Sequence, residues 1–157
     1  RRAARFDVGF GPMSGDLVDI YLEECGKHGR EPRRYFRPAQ GMPIGIHLCE
    51  DPDEGWAVLE KHAVHVITEY AKWAEQEGDG SNSPFKGLDN PAVLRQSGLF
   101  ATWTPDQLVE KVRGLPDHAS ISFQPLLGGL SPKEGWKSLR LLEQTLPRLR
   151  ESMAEAV

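Results

Sequence analysis

Apolar positions recur along this chain with two periods, and the alternation between them divides it into strand–helix pairs. After Asp51, the residues Trp56, Leu59, Ala63, Val66, Ile67, Tyr70 and Ala74 return at helical spacing and predict a long amphipathic helix. Leu108, Val112 and Leu115 form a shorter stripe of the same kind, which Gly114 suits as an exit. Trp136, Leu139, Leu142, Leu146 and Leu149 line one face of a third, where Pro147 removes the bond to the Glu143 carbonyl and predicts a late kink. A fourth helix is expected to begin near Ser14, bury Leu17, Ile20, Tyr21 and Cys25, and end by Gly29. On these faces Trp56, Trp73 and Trp136 read as core residues.

Three of the helix starts carry one local signature. Asp51-Pro52-Asp53-Glu54, Thr104-Pro105-Asp106-Gln107 and Ser131-Pro132-Lys133-Glu134 each place a side-chain acceptor at the cap and proline at the first helical position. Proline fits there because that backbone N–H has no intrahelical partner. The acid or amide three residues after the cap can reach back to the cap's own N–H.

Between the helices the period falls to two. Phe6–Phe10 and Ala119–Gln124 alternate apolar with small or polar residues, as strands do. Tyr35–Cys49 contains extended material that Pro38 and Pro43 must interrupt, and a very short strand is expected at Phe100–Trp103. Strand then helix, four times over, implies an α/β fold with a parallel sheet and right-handed crossovers. Such a sheet belongs either to a small doubly wound domain or to part of a (β/α)8 barrel. In the last strand Ser120, Ser122 and Gln124 form a small polar set, which suits the inner layer of a barrel near its mouth. Residues 78–98 interrupt the pattern: a glycine- and serine-rich stretch, then an Asn90-Pro91 cap for a short helical turn, expected as a mobile loop or lid.

Composition narrows the class. The 157 residues fit a single domain, and 39% hydrophobic content can support a core. A net charge of -4 argues against a nucleic-acid binder. No apolar run approaches a membrane span, and no apolar core follows Arg1-Arg2-Ala3-Ala4-Arg5 as a signal peptide would require. Cys25 and Cys49 have no metal-type spacing and read as reduced, which suits the cytoplasm. The chain opens on residues that read as the last turn of a helix, so it is expected to be a piece of a longer protein.

An ordered set of segments resembles the luciferase-like monooxygenases. Ser120-Ile121-Ser122-Phe123-Gln124-Pro125-Leu126-Leu127-Gly128-Gly129-Leu130-Ser131-Pro132 looks like that family's last strand and mouth loop. Trp136–Leu142 with Leu146–Arg150 is similar to its terminal helix. Arg2–Arg5 leading to Gly9-Phe10, then Tyr21 and Gly29-Arg30-Glu31-Pro32, resembles its fifth unit. Glu50–Trp56 with Tyr70 and Trp73 resembles the sixth, and Thr104-Pro105-Asp106 the seventh. One departure stands out: the family often carries Asp-Gly-Trp at the fifth strand, where this chain has Val8-Gly9-Phe10 and its acid at Asp7.

The resemblance implies the C-terminal half, units five to eight, of a TIM-type barrel in a flavin-dependent oxidoreductase. FMN or a deazaflavin would be held largely by the first half, which also supplies the key histidine or acid. The isolated chain is then expected to be inactive, its partner being the missing N-terminal half. A non-enzymatic half barrel that pairs with itself as a homodimer is the alternative, because a half barrel leaves edges and an inner face uncovered.

In a parallel barrel the site lies at the carboxyl ends of the strands. Phe10-Gly11-Pro12-Met13-Ser14 runs into a helix N-terminus, which makes Phe10, Gly11, Pro12 and Ser14 the candidate cofactor contacts. Gln124, Gly128 and Gly129 are the candidate substrate contacts, since paired glycines permit close backbone approach. Those glycines would serve tight turns equally well. His62 and His65 lie three apart on a helix, but no Glu or Cys completes a zinc pattern, so they read as packing or surface residues, as does His47. Arg33, Arg34 and Arg37 read as a solvated or salt-bridged surface. No nucleophile, acid–base pair or phosphate loop emerges, and no catalytic residue is assigned.

Overall fold

The computed structural model describes residues 1–12, 14–76, 85–116 and 118–154. The chain is mixed α/β, mostly helical with a few short parallel strands, and it divides into two compact units. Residues 78–84 of the expected loop and Met13 lie outside the described residues.

The first unit comprises Arg1–Met42 and Leu115–Ile121. It holds α1 (Arg2–Arg5), α2 (Asp16–Lys27) and the short strand β1 (Arg37–Pro38), which pairs in parallel with Ala119–Ser120. Its core is Ala4, Tyr21 and Cys25, with Phe10, Leu22 and Tyr35 packed around them. The Tyr21 hydroxyl donates to the Val8 carbonyl (3.0 Å) and accepts from the Arg33 N–H (3.1 Å). Those two bonds set the rotation of α2. Val18, Tyr21 and Cys25 are its buried line, while Leu17 and Ile20 of the expected stripe are 45% and 40% exposed. Phe6–Phe10 forms no full strand: Phe10 alone bridges Tyr35 in parallel, and Asp7 takes a left-handed φ of 55°.

The second unit comprises Pro43–Gly114 and Ser122–Val157. Here β2 (Gly45–Leu48) precedes α3 (Pro52–Gln76). Then come α4 (Pro91–Ser97), β3 (Phe100–Trp103) and α5 (Pro105–Val112). A 3-10 turn at Leu127–Gly129 leads into α6 (Pro132–Ala154). All four residues of β2 are buried; they pair in parallel with β3 in the register Gly45–Phe100 to Leu48–Trp103. On its other edge Ile46 bridges Phe123, also in parallel. Trp56, Leu59, Ala63 and Ile67 of α3 meet Leu94, Phe100, Leu127 and Leu130 in the core.

All three side-chain caps form, but the reach-back bond to the cap's own N–H closes at only one of them. Asp51 Oδ1 accepts from the N–H groups of Asp53 (2.8 Å) and Glu54 (3.0 Å). Thr104 and Gln107 complete the reciprocal box at α5, and Ser131 Oγ accepts from the Glu134 N–H. Asn90 caps α4 through Ala92 and Val93, and Gly98 ends it at a φ of 69°. The leucine stripe of α6 is its buried line only in part: Leu149 is buried and Leu139 and Leu142 are half-buried, but its other two members are not. Ser138, Thr145, Leu149 and Ser152 are buried, while Trp136 is 60% and Leu146 40% exposed. The reason is close approach: a Cβ on Gly135 would stand 2.3 Å from the Pro125 carbonyl oxygen, so small residues face inward there. Trp73 is likewise 53% exposed, against Trp56 at 4%. The helix continues through Pro147 to Ala154.

Candidate functional site

The first expected loop lies wholly in the first unit. The Phe10 ring stacks on Tyr21 with centroids 5.2 Å apart, and the Phe10 backbone bonds to Arg34 and Phe36. A Cβ on Gly11 would touch the Phe36 ring at 3.6 Å. Ser14 accepts from the Leu17 N–H through its carbonyl, but the helix cap is Gly15, with no side-chain cap. The Arg37 guanidinium bonds the Gly15 carbonyl and the Asp19 carboxylate, holding that carboxyl below its usual range.

The second loop lies in the second unit, and its residues divide between two cavities. Gln124 and Gly128 line one of about 480 Å³ with Val66, Tyr70, Pro125 and Leu126. Gly129 lines another of about 490 Å³ with Ala57, Lys61 and His62. The Gln124 amide is committed, since it donates to the Ile44 carbonyl at 2.8 Å. Gly128 is explained by its neighbours. It sits at a φ of 53°, a Cβ there would stand 2.3 Å from the His62 carbonyl oxygen, and its own carbonyl meets His62 Nδ1 at 2.9 Å. Gly129, at a φ of 81°, faces open space.

A third cavity, which the sequence pattern did not single out, opens at the carboxyl end of β2. It measures about 490 Å³ and is walled by residues of β2 and its exit, the first turns of α3, and α6. His47 and Cys49 come from the strand and its exit; Glu50, Asp51 and Glu54 come from the turn into α3. From α6 come Glu134, Lys137 and Arg140, with Val58 and Leu141 as apolar wall. The carboxyl ends of parallel strands are where α/β folds place ligands, because the chain turns there into helix N-termini and loops.

The electrostatics are specific. His47 is 5% exposed, and its Nδ1 is sealed with no hydrogen-bond partner among the described residues. Burial pushes its pKa down, Glu134 partly opposes this, and Lys137 adds to it, which favours the neutral ring. Burial, with Asp51 nearby, pushes the Cys49 thiol up to about 11, which leaves it protonated and a poor nucleophile. The Lys137 ammonium bonds Glu134 at 2.9 Å and holds that carboxyl below its usual range. Gly55 lets α3 close over Cys49: a Cβ there would stand 2.5 Å from the Cys49 Sγ.

The cavity was partly legible, because the Asp51 cap directly follows the strand and marks its carboxyl end. The contribution of α6, some ninety residues on, carries no local signal. Among the described residues no group of three His, Cys, Asp or Glu is arranged to hold a metal ion, and no helix is long and apolar enough to cross a membrane. No family model, curated protein or solved structure matches this chain.

Proposed function

We propose that this chain is the C-terminal part, units five to eight, of a TIM-type barrel in a luciferase-like oxidoreductase that uses FMN or a deazaflavin. The observation that favours this reading is the β2 arrangement. One buried strand has parallel neighbours at β3 and Phe123, and a capped helix follows each of the three. The same strand–cap–helix grammar, repeated, builds a β/α barrel wall.

The two expected loops do not by themselves fit a flavin. Phe10 is stacked on Tyr21, the Gln124 amide is used by Ile44, and the space beside Gly128 is filled by His62. Gly11, Pro12, Ser14 and Gly129 remain as positions that could border a cofactor or substrate, too few to hold one. The chain's part in this reading is therefore to supply wall and mouth, with the reacting groups on the complementary units, in a cytoplasmic enzyme.

The test is complementation. The chain is refolded with the first four units of a luciferase-like oxidoreductase and titrated with FMN and with deazaflavin by fluorescence. Cofactor binding by the mixture, and negligible binding by either half alone, is the expected result. Halves that fold but form no complex, or a complex that binds neither cofactor, would overturn the reading.

A further inference from the structure

We propose that the solvent face of α6 binds a second copy of this chain, the two helices lying antiparallel so that each Trp136 packs on the partner's Pro147 and each Arg140 meets the partner's Glu143. The inference concerns one helix of the second unit and does not rest on the oxidoreductase reading.

Trp136 is 60% exposed, the largest apolar side chain that α6 turns to solvent. Arg140, Glu143 and Pro147 are exposed on the same stripe, since steps of four, three and four residues return to one side of a helix. Leu146, 40% exposed, flanks Pro147. The charges on this stripe are unused. Lys137 and Arg148, to one side, are taken by Glu134 and Asp106, whereas Arg140 and Glu143 join no ion pair among the described residues. Pro147 has no N–H to give the Glu143 carbonyl, so a second acceptor opens beside that carboxylate.

A second copy answers these groups together. Trp136 with Pro147, and Arg140 with Glu143, are both centred on one point of the helix, the Leu141–Leu142 peptide. An isologous contact with its two-fold axis at that point sets the stripe against itself in reverse order. Each indole then covers a proline ring and each guanidinium meets a carboxylate, twice over by symmetry. The next charges out, Lys133 and Arg150, turn to opposite flanks of the stripe, so the two-fold does not oppose them. A parallel copy would set Arg140 on Arg140, and a partner of single charge would attract one of the two groups and repel the other.

Sedimentation equilibrium of the full chain, from about 2 µM to about 1 mM, should show monomer and dimer in exchange with Kd about 50 µM, weak because the contact is only about three helical turns long. Below about 5 µM the chain is then monomeric, and circular dichroism there checks that each variant folds. Trp136→Ala should weaken association at least about tenfold, whereas Trp73→Ala, 53% exposed on α3, should leave it unchanged. Arg140→Glu and Glu143→Arg should each weaken it by at least about tenfold, because each sets two like-charge pairs across the two-fold. Mixed in equal amounts, those two variants should associate again as a heterodimer, every facing pair being opposite in charge once more. A chain that stays monomeric at about 1 mM, association lost in Trp73→Ala rather than Trp136→Ala, or a mixture no more associated than its two components would overturn the proposal.

Discussion

Leu48 donates its backbone N–H to the Ser138 hydroxyl at 2.8 Å, a buried bond that joins β2 to a helix ninety positions later. Two residues earlier on the same strand, the Ile46 N–H goes to the Ser122 carbonyl at 3.0 Å. Successive N–H groups on one strand edge thus find first a neighbouring strand and then a side chain. Ser138 continues the ladder where the extended segment at Phe123 has ended, so no donor of β2 is left bare on that side. Ser138→Ala should leave a buried N–H unsatisfied and destabilise the fold by about 1–3 kcal/mol. Urea unfolding together with hydrogen exchange at Leu48 checks this. An unchanged midpoint with unchanged protection of that amide would show that the bond does not matter.

The elements that local rules govern were legible in the sequence. The Asp51, Thr104 and Ser131 caps placed three helix starts, because a cap is satisfied within four residues of itself. Strand order was harder: Phe6–Phe10 alternates correctly, yet only Phe10 pairs, since pairing depends on a distant partner. Helix rotation was misjudged where hydrogen bonds or close approach outweigh apolar content. Tyr21 turns α2 through its hydroxyl, and Gly135 with Ser138 brings a face of small residues on α6 inward. His47 reads from the sequence as a packing or surface residue. It is buried, as packing requires, but that its Nδ1 would be left without a hydrogen-bond partner could not be seen in one strand.

The tryptophans test the corrected helix faces directly. Trp56 is buried against the core and donates its indole N–H to Glu60 at 3.0 Å, so Trp56→Ala should cost about 3–5 kcal/mol. Trp136 is 60% exposed, and Trp136→Ala should change stability by no more than about 0.5 kcal/mol. Thermal unfolding of the two variants decides between the faces. Comparable losses would put Trp136 on the buried side of α6.

Gly55 and Cys49 should behave as a coupled pair. An added methyl at Gly55 would meet the Cys49 Sγ at 2.5 Å and its Cβ at 3.0 Å, so Gly55→Ala must push α3 away from the strand exit. The expected cost is about 1–3 kcal/mol, the range for overpacking a tight contact. Removing the sulfur with Cys49→Ala should return part of that loss, the Cβ contact remaining. A double-mutant cycle measures the coupling, and additive losses would mean that the strain is relieved elsewhere.

His47 should shape the acid side of the stability curve. Burial holds its pKa below the ordinary 6.5, so above that pH the ring is neutral in both folded and unfolded chains and contributes no pH dependence. As pH falls below 6.5 the unfolded chain takes up a proton that the folded chain refuses. Stability then declines, and this contribution levels off only when pH passes below the folded value. His47→Gln should remove that part of the decline, while Glu134→Gln should steepen it, because Glu134 is the group that holds the folded pKa up. Urea midpoints compared between about pH 7.5 and pH 5 for the three chains give the answer. Equal slopes for the parent chain and His47→Gln would mean that the buried ring takes its proton as readily as an unfolded one, and the sealed environment assigned to it would then be wrong.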